Sequence, residues 1–173
     1  GTPFFLAPAF IMALLFAVHP VHTEVIANIK GRDEILALLF GIVALQAAFK
    51  WNDSNALLPL LTSTGAFFLA LLSKESALPL ILLIPLALYF FRSVSRRNLI
   101  VLSGALLLIL VAYLGLRFSL VGGFGGDPPQ ELMNNPFVGK GTGERLAIAI
   151  HGLGIYLGKF FWPHPLSHDY YPW

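Results

Sequence analysis

Residues 98–116 read NLIVLSGALLLILVAYLGL, a run without a single charge. Wound into a helix it is apolar on all faces, and it lacks the period-2 alternation of a barrel strand. A helix needs about 20 such residues to cross the hydrocarbon core of a bilayer, so the stretch reads as a membrane span. Residues 54–73, SNALLPLLTSTGAFFLALLS, read the same way. Shorter apolar runs at 4–18, 35–49 and 77–91 each abut a Lys, Arg or His that can reach back to the interface. The run at 146–162 is the weakest, being interrupted by His151 and Lys159. The resulting expectation is an all-α fold: a polytopic transmembrane helical bundle of about six spans in a single domain over 1–173. The spans fall at about 4–18, 35–49, 54–73, 77–91, 98–117 and 146–162, with a long external loop at 118–143.

The composition of the whole chain demands the same solvent. Of 173 residues, 57% are hydrophobic and 12% charged, where a soluble domain carries about 25% charged residues. Such a chain cannot coat a globule for water, which excludes a nucleic-acid binder, a disulfide scaffold and a disordered linker. The net charge of +2 is too small to call for a polyanion, and the lack of cysteine removes thiolate metal sites. The chain opens on Gly1 and stops at Trp173 in an aromatic-rich stretch, so a piece of a longer polytopic protein is expected. No basic n-region precedes the first apolar run, and a signal peptide is not expected. Pro79 and Pro85 are expected to kink the fourth span.

Orientation follows from the densest short basic loop, Arg92 to Asn98, which the positive-inside rule assigns to the cytoplasm. Alternation then puts His19 to Asp33, Ser73 to Ser76 and Phe118 to Gly143 outside, with Lys50 to Asn55 and the tail from Pro163 inside. If 146–162 does not cross, that tail is outside instead. The sequon Asn52-Asp53-Ser54 falls inside and is expected to carry no glycan.

Three external stretches carry the polar side chains. His19-Pro20-Val21-His22-Thr23-Glu24 flanks a proline turn at the lipid boundary, where ionisable residues tend to face a cavity or each other. Two imidazoles and a carboxylate suit a divalent metal, but the spacing matches no metal motif; hydrogen bonding to a head group or to loop carbonyls is the preferred reading. Ser73-Lys74-Glu75-Ser76 reads either as a local ion pair at a hairpin tip or, with Arg32, as a pair of cations for a phosphate. Gly139-Lys140-Gly141-Thr142-Gly143 lacks the P-loop spacing and follows no strand, so no nucleotide site is expected.

Taken in order, Ala17-Val-His19-Pro20-Val-His22-Thr-Glu24, Gly31-Arg32-Asp33, Ser73-Lys74-Glu75-Ser76, Asn135-Pro136-Phe137 and Pro165-Leu166-Ser167-His168-Asp169-Tyr170 resemble the membrane domain of the transmembrane and tetratricopeptide-repeat proteins. That family is similar to the protein O-mannosyltransferases of the GT-C glycosyltransferase superfamily. The resemblance implies a GT-C-like integral membrane enzyme, in the endoplasmic reticulum membrane of a eukaryote or the inner membrane of a bacterium. It implies transfer of a sugar from a polyprenyl-phosphate donor to Ser or Thr of an acceptor protein, on the lumenal or periplasmic side. The partners expected are the bilayer, the lipid-linked sugar and the acceptor, without nucleic acid.

Under that resemblance Arg32 and Lys74 bind the donor phosphate, while His19, His22, Glu24, Asp33 and Glu75 line the substrate site. The catalytic acid is expected before Gly1, and the chain by itself is expected to be inactive. No cofactor is implied beyond the donor; a divalent metal on His19, His22 and Glu24 is the lesser alternative. Two other classes compete: a non-catalytic anchor for a repeat-containing interaction protein, and a transporter subunit, which would place acids deep within its spans.

Overall fold

A computed structural model describes residues 7–28, 31–121 and 137–164, and among these every regular element is helical. In chain order they are α1 (Pro8–Ala17), α2 (Thr23–Ala27), α3 (Arg32–Ser54), α4 (Leu57–Ser73), α5 (Leu80–Phe91), α6 (Arg96–Val121) and α7 (Thr142–Phe161). The chain divides into two compact units: Ile29–Gly125, which holds α3 to α6, and Gly1–Asn28 with Gly126–Trp173, which holds α1, α2 and α7.

Two of these helices, α3 and α6, are long and apolar enough to cross a membrane, and a third crossing is added if α1 and the segment Pro20–Ala27, bent from it by 44°, count as one. About six spans is therefore a correction to make. Helices α4 and α5 are apolar but only 17 and 12 residues long, and α7 is excluded by its composition. Proline accounts for part of the shortfall. The fourth run does not begin as a kinked helix at 77: Glu75–Ala77 is a 3-10 turn, and the α-helix starts after Pro79, whose fixed φ suits a helix start. Pro85 lies inside α5 without ending it.

Helices also run past the ends that apolarity alone sets. Asp33 and Glu34 occupy the first turn of α3, where carboxylates meet the positive end of the helix dipole, so the helix starts at Arg32 rather than at 35. At its other end α3 continues through the polar residues 50–54 and closes at Asn55, whose φ of 52° is left-handed and whose N–H bonds to the Trp51 carbonyl at 2.7 Å. What reads as an inside loop at 50–55 is thus mostly helix. Helix α6 likewise runs into the expected external loop as far as Val121, and α7 begins before that loop is due to end.

The core of the four-helix unit is a seam of small residues. Ala37, Gly41, Ala44, Ala48 and Trp51 recur at alternating steps of four and three along α3, and all are buried. They face Ser63, Ala66, Phe67, Ala70 and Leu71 of α4, within the most extensive helix pairing of the unit. Ser63 is fully buried and donates its hydroxyl to the Ala44 carbonyl at 2.9 Å. So short a side chain reaches another helix's backbone only where the two axes lie close, which small residues permit. A Cβ at Gly41 would stand 2.9 Å from Leu80 Cδ1, so this glycine makes room for the start of α5. Ile84 and Leu88 of α5, and Leu102 and Leu106 of α6, complete the same cluster.

The turns collect at two ends. At one, Lys74 after α4 meets Asp33 and Glu34 at the start of α3, and Arg117 near the end of α6 meets Glu75. At the other, the Asn98 amide donates to the side-chain oxygens of Asn55 and Asn52, and Arg92 pairs with Asp53 while stacking on Phe49. Asn52 donates in turn to the Ser93 carbonyl, tying the α3–α4 turn to the α5–α6 turn. Four antiparallel helices thus have a lysine and arginine network at one end and an asparagine clasp at the other.

Candidate functional site

The first group of candidate residues is built on the start of α3. Asp33 turns back to accept the Glu34 backbone N–H at 2.8 Å, which holds the first turn and leaves its other oxygen outward. Lys74, in extended backbone just past α4, places its ammonium 2.7 Å from Glu34 Oε1 and 3.3 Å from Asp33 Oδ2. Ser76 donates to the second Glu34 oxygen at 2.9 Å. One cation is therefore shared by two carboxylates, and one carboxylate is shared by a lysine and a serine. The local pairing of Lys74 with its neighbour Glu75 does not form; Glu75 instead accepts from Arg117 Nη2 at 2.9 Å. Both contacts link separate helices, because adjacent residues in this turn point their side chains to different partners.

Arg117 is the member that sequence reading missed. Its Nη1 donates to the Tyr113 hydroxyl one turn earlier at 3.3 Å, while its Nε is buried without an acceptor among the described residues. Its side chain is 25% exposed against 64% for its partner Glu75, so the arginine is the anchored half of the pair. Glu34, the closest partner of Lys74, was also outside the expected site. Arg32 stands exposed as the first residue of α3, with no ion pair or hydrogen bond among the described residues. Lys74 contacts the two residues that follow Arg32, so both expected phosphate ligands lie at one end of the bundle. There the cations Arg32, Lys74 and Arg117 stand with Asp33, Glu34 and Glu75, and of the three cations Arg32 alone has no side-chain partner among the described residues.

The pairing holds the Lys74 ammonium above its ordinary value of 10.5, first through the hydrogen bond it donates to Glu34 and then through Asp33. A pKa raised in the folded state contributes stability that is fully present below the unfolded value and is lost as pH rises through the folded one. The melting temperature of the parent chain in detergent is therefore expected to exceed that of Lys74→Met by a constant margin from neutral pH up to 10.5, and the margin should shrink above it. A margin flat through the alkaline range would show that the charge of Lys74 does not hold the turn.

The second group belongs to the other compact unit. His19 precedes a 3-10 turn at Pro20–His22, and its Nδ1 accepts the Val21 N–H at 3.3 Å. That acceptance places the ring proton on Nε2, which donates to the Phe160 carbonyl near the end of α7 at 3.1 Å. The imidazole also stacks on the Phe160 ring, with centroids 5.9 Å apart. His22 packs on Phe16, centroids 4.6 Å apart, and lies edge-on to His19. Both nitrogens of His19 are thus engaged by backbone groups, and of the three residues of the metal alternative only His19 and His22 have described side chains. The Glu24 side chain, Lys30, the loop 122–136 and the tail 165–173 with His168 and Asp169 lie outside the described residues.

Searched against models of protein families, the chain matches none, and no solved structure matches it. Curated proteins do. Over 138 residues it is 35% identical to "Protein O-mannosyl-transferase F38B6.6" of Caenorhabditis elegans, covering 75% of this chain and 18% of that protein. Over 65 residues it is 43% identical to "Protein O-mannosyl-transferase TMTC1" of Mus musculus, covering 38% of this chain and 7% of that protein. Over 58 residues it is 43% identical to "Protein O-mannosyl-transferase TMTC4" of Homo sapiens, covering 32% and 8%. The chain thus matches less than a fifth of the length of each of these relatives.

Proposed function

Since this chain is homologous to one segment of the protein O-mannosyl-transferases, we propose that it forms part of a membrane glycosyltransferase of GT-C type and supplies the end that binds the donor phosphate. In the whole protein the sugar passes from a polyprenyl phosphate to a Ser or Thr hydroxyl of an acceptor protein, on the lumenal or periplasmic side. The bond from the sugar's anomeric carbon to the phosphate oxygen breaks, the bond to the hydroxyl oxygen forms, and the hydroxyl proton goes to a base. Charge grows on the leaving phosphate, so cations placed there lower the barrier. No residue of this chain is assigned as the base.

The observation that carries this reading is the placement of Arg32 and Lys74 at one end of the four-helix unit, with the Arg32 side chain exposed and without a partner among the described residues. A guanidinium offers two parallel N–H donors to a phosphate, and the neighbouring ammonium adds a point charge. If α3 and α6 cross the bilayer, this end lies at the interface, where the phosphate of a lipid-linked sugar also sits. The shorter α4 and α5 run between the same two ends.

Native mass spectrometry in detergent tests the site with undecaprenyl or dolichyl phosphate as probe. The parent chain is expected to retain the lipid. Arg32→Ala removes the exposed guanidinium, and Lys74→Ala leaves Asp33 and Glu34 unneutralised; both are expected to lower retention by about tenfold or more. Arg92→Ala, at the opposite end of the bundle, should bind as the parent does. Equal binding by all four proteins, or no binding by the parent, removes the assignment.

A further inference from the structure

We infer that α7 does not cross the bilayer but lies along its surface, its apolar stripe sunk among the lipid acyl chains. Leu146, Ile150, Leu153, Leu157 and Phe161 follow one another at steps of four and three, so they form one stripe on α7. Each is between 55% and 79% exposed. Glu144, Arg145, His151 and Lys159 stand on the other side of the helix, where Ile148, Gly152, Ile155 and Lys159 are half-buried. The apolar surface is therefore the side that the described residues of its own compact unit leave open.

The comparison with α6 decides the mode. Helix α6 carries no charge between residues 99 and 116, as a span bordered by lipid on one side and by the apolar core of the bundle on the other requires. Helix α7 is just as able to cross by length, since 20 residues rise about 30 Å. Crossing would carry the exposed His151 to the middle of the hydrocarbon, whereas in the interfacial plane it stands on the side turned away from the acyl chains. Separation of the two faces, rather than total apolarity, marks a helix in the interfacial plane.

Both ends fit that plane. At the start Glu144 accepts the Gly141 backbone N–H at 2.9 Å, and Arg145 donates from Nε to the Lys140 carbonyl at 3.0 Å. At the finish Tyr156, Phe160, Phe161 and Trp162 are all more than half exposed, and Tyr and Trp favour the head-group region. The occupant of the stripe is therefore phospholipid. With α7 on the surface, Val138 before it and His164 after it lie on the same side of the membrane, which is the alternative given above for a run at 146–162 that does not cross.

The absence of cysteine allows the test on the whole chain. Single cysteines at Leu146, Ile150, Leu153 and Leu157, and at Glu144, His151 and Gly158, are spin-labelled and reconstituted in phosphatidylcholine vesicles. Labels on the stripe should show several-fold higher oxygen than nickel-chelate accessibility at one common depth, and labels at Glu144 and His151 the reverse. A Gly104→Cys label in α6 supplies the mid-bilayer reference and reports that the variant has inserted. A membrane-impermeant thiol reagent should reach Val138→Cys and His164→Cys from the same side. A depth profile that rises to the α6 reference near His151, or labelling of 138 and 164 from opposite sides, overturns the proposal. Aqueous accessibility all along the stripe does so too.

Discussion

The double variant Asp33→Asn with Glu34→Gln is expected to bind polyprenyl phosphate about tenfold more tightly than the parent chain. In the structure Lys74 serves two carboxylates, at 2.7 and 3.3 Å, and the trio carries a net negative charge. An approaching phosphate must therefore compete for the ammonium and also meet two like charges next to Arg32. Neutral amides keep the shape and the hydrogen bond from Ser76, while they remove both obstacles. The gain should fall as salt rises, because these groups are over a third exposed and screening is effective there. Adding Lys74→Ala to the double variant should abolish most of the gain, which separates a released lysine from a general loss of negative charge. Asp53→Asn at the opposite end controls for net charge. If the double variant binds no better, or binds worse, the carboxylates are not competitors; weaker binding would make Asp33 a ligand of the donor, as its place among the expected lining residues has it.

The membrane character of the chain was legible because it depends on composition, and composition survives any error about geometry. The number of crossings was not, because apolar residues were counted without regard to phase. Residues 98–116 and 146–162 both look hydrophobic in a window, but in α7 the large residues fall on one stripe and the charges on the other side. Span ends were misread for a related reason. Hydropathy stops at a charge, whereas a helix stops where its hydrogen bonds do. Asp33 and Glu34 favour the start of α3, and Asn55 in a left-handed turn ends it.

The candidate site shows the same division between chemistry and geometry. Alternation of spans put Arg32 and Lys74 together, and the contacts of Lys74 with the residues after Arg32 place them at one end. Adjacency in sequence misled the pairing, since Lys74 and Glu75 leave their turn toward different helices. Arg117 was missed because the span was closed at the last apolar residue, although a lone arginine one turn beyond Tyr113 was the available signal. For His19 hydrogen bonding is the preferred reading and metal the lesser one; the Val21 N–H and the Phe160 carbonyl, which occupy its two nitrogens, have no signature in the local sequence.

The largest loss of stability is expected from Ala44→Leu, at about 3 kcal/mol or more. Ala44 is fully buried at the centre of the α3 seam, with its carbonyl taken by Ser63. Three added carbons have nowhere to go except between two backbones, and backbones cannot change rotamer as side chains can. Ser63→Ala removes the interhelical hydrogen bond but fits the same space, and should cost about 1 kcal/mol. Leu108→Ala, at a position 69% exposed on α6, should cost less than about 0.5 kcal/mol. Reversible unfolding in mixed micelles ranks the three. The order matters more than the values: if Ser63→Ala proves worse than Ala44→Leu, the polar bond rather than close approach holds α3 to α4. Close approach carries a further consequence for the charged end. A wedge in the seam tilts α3 against α4 and draws Asp33 and Glu34 away from Lys74, so Ala44→Leu should also lose the pH-dependent part of the Lys74 contribution, which Leu108→Ala should retain.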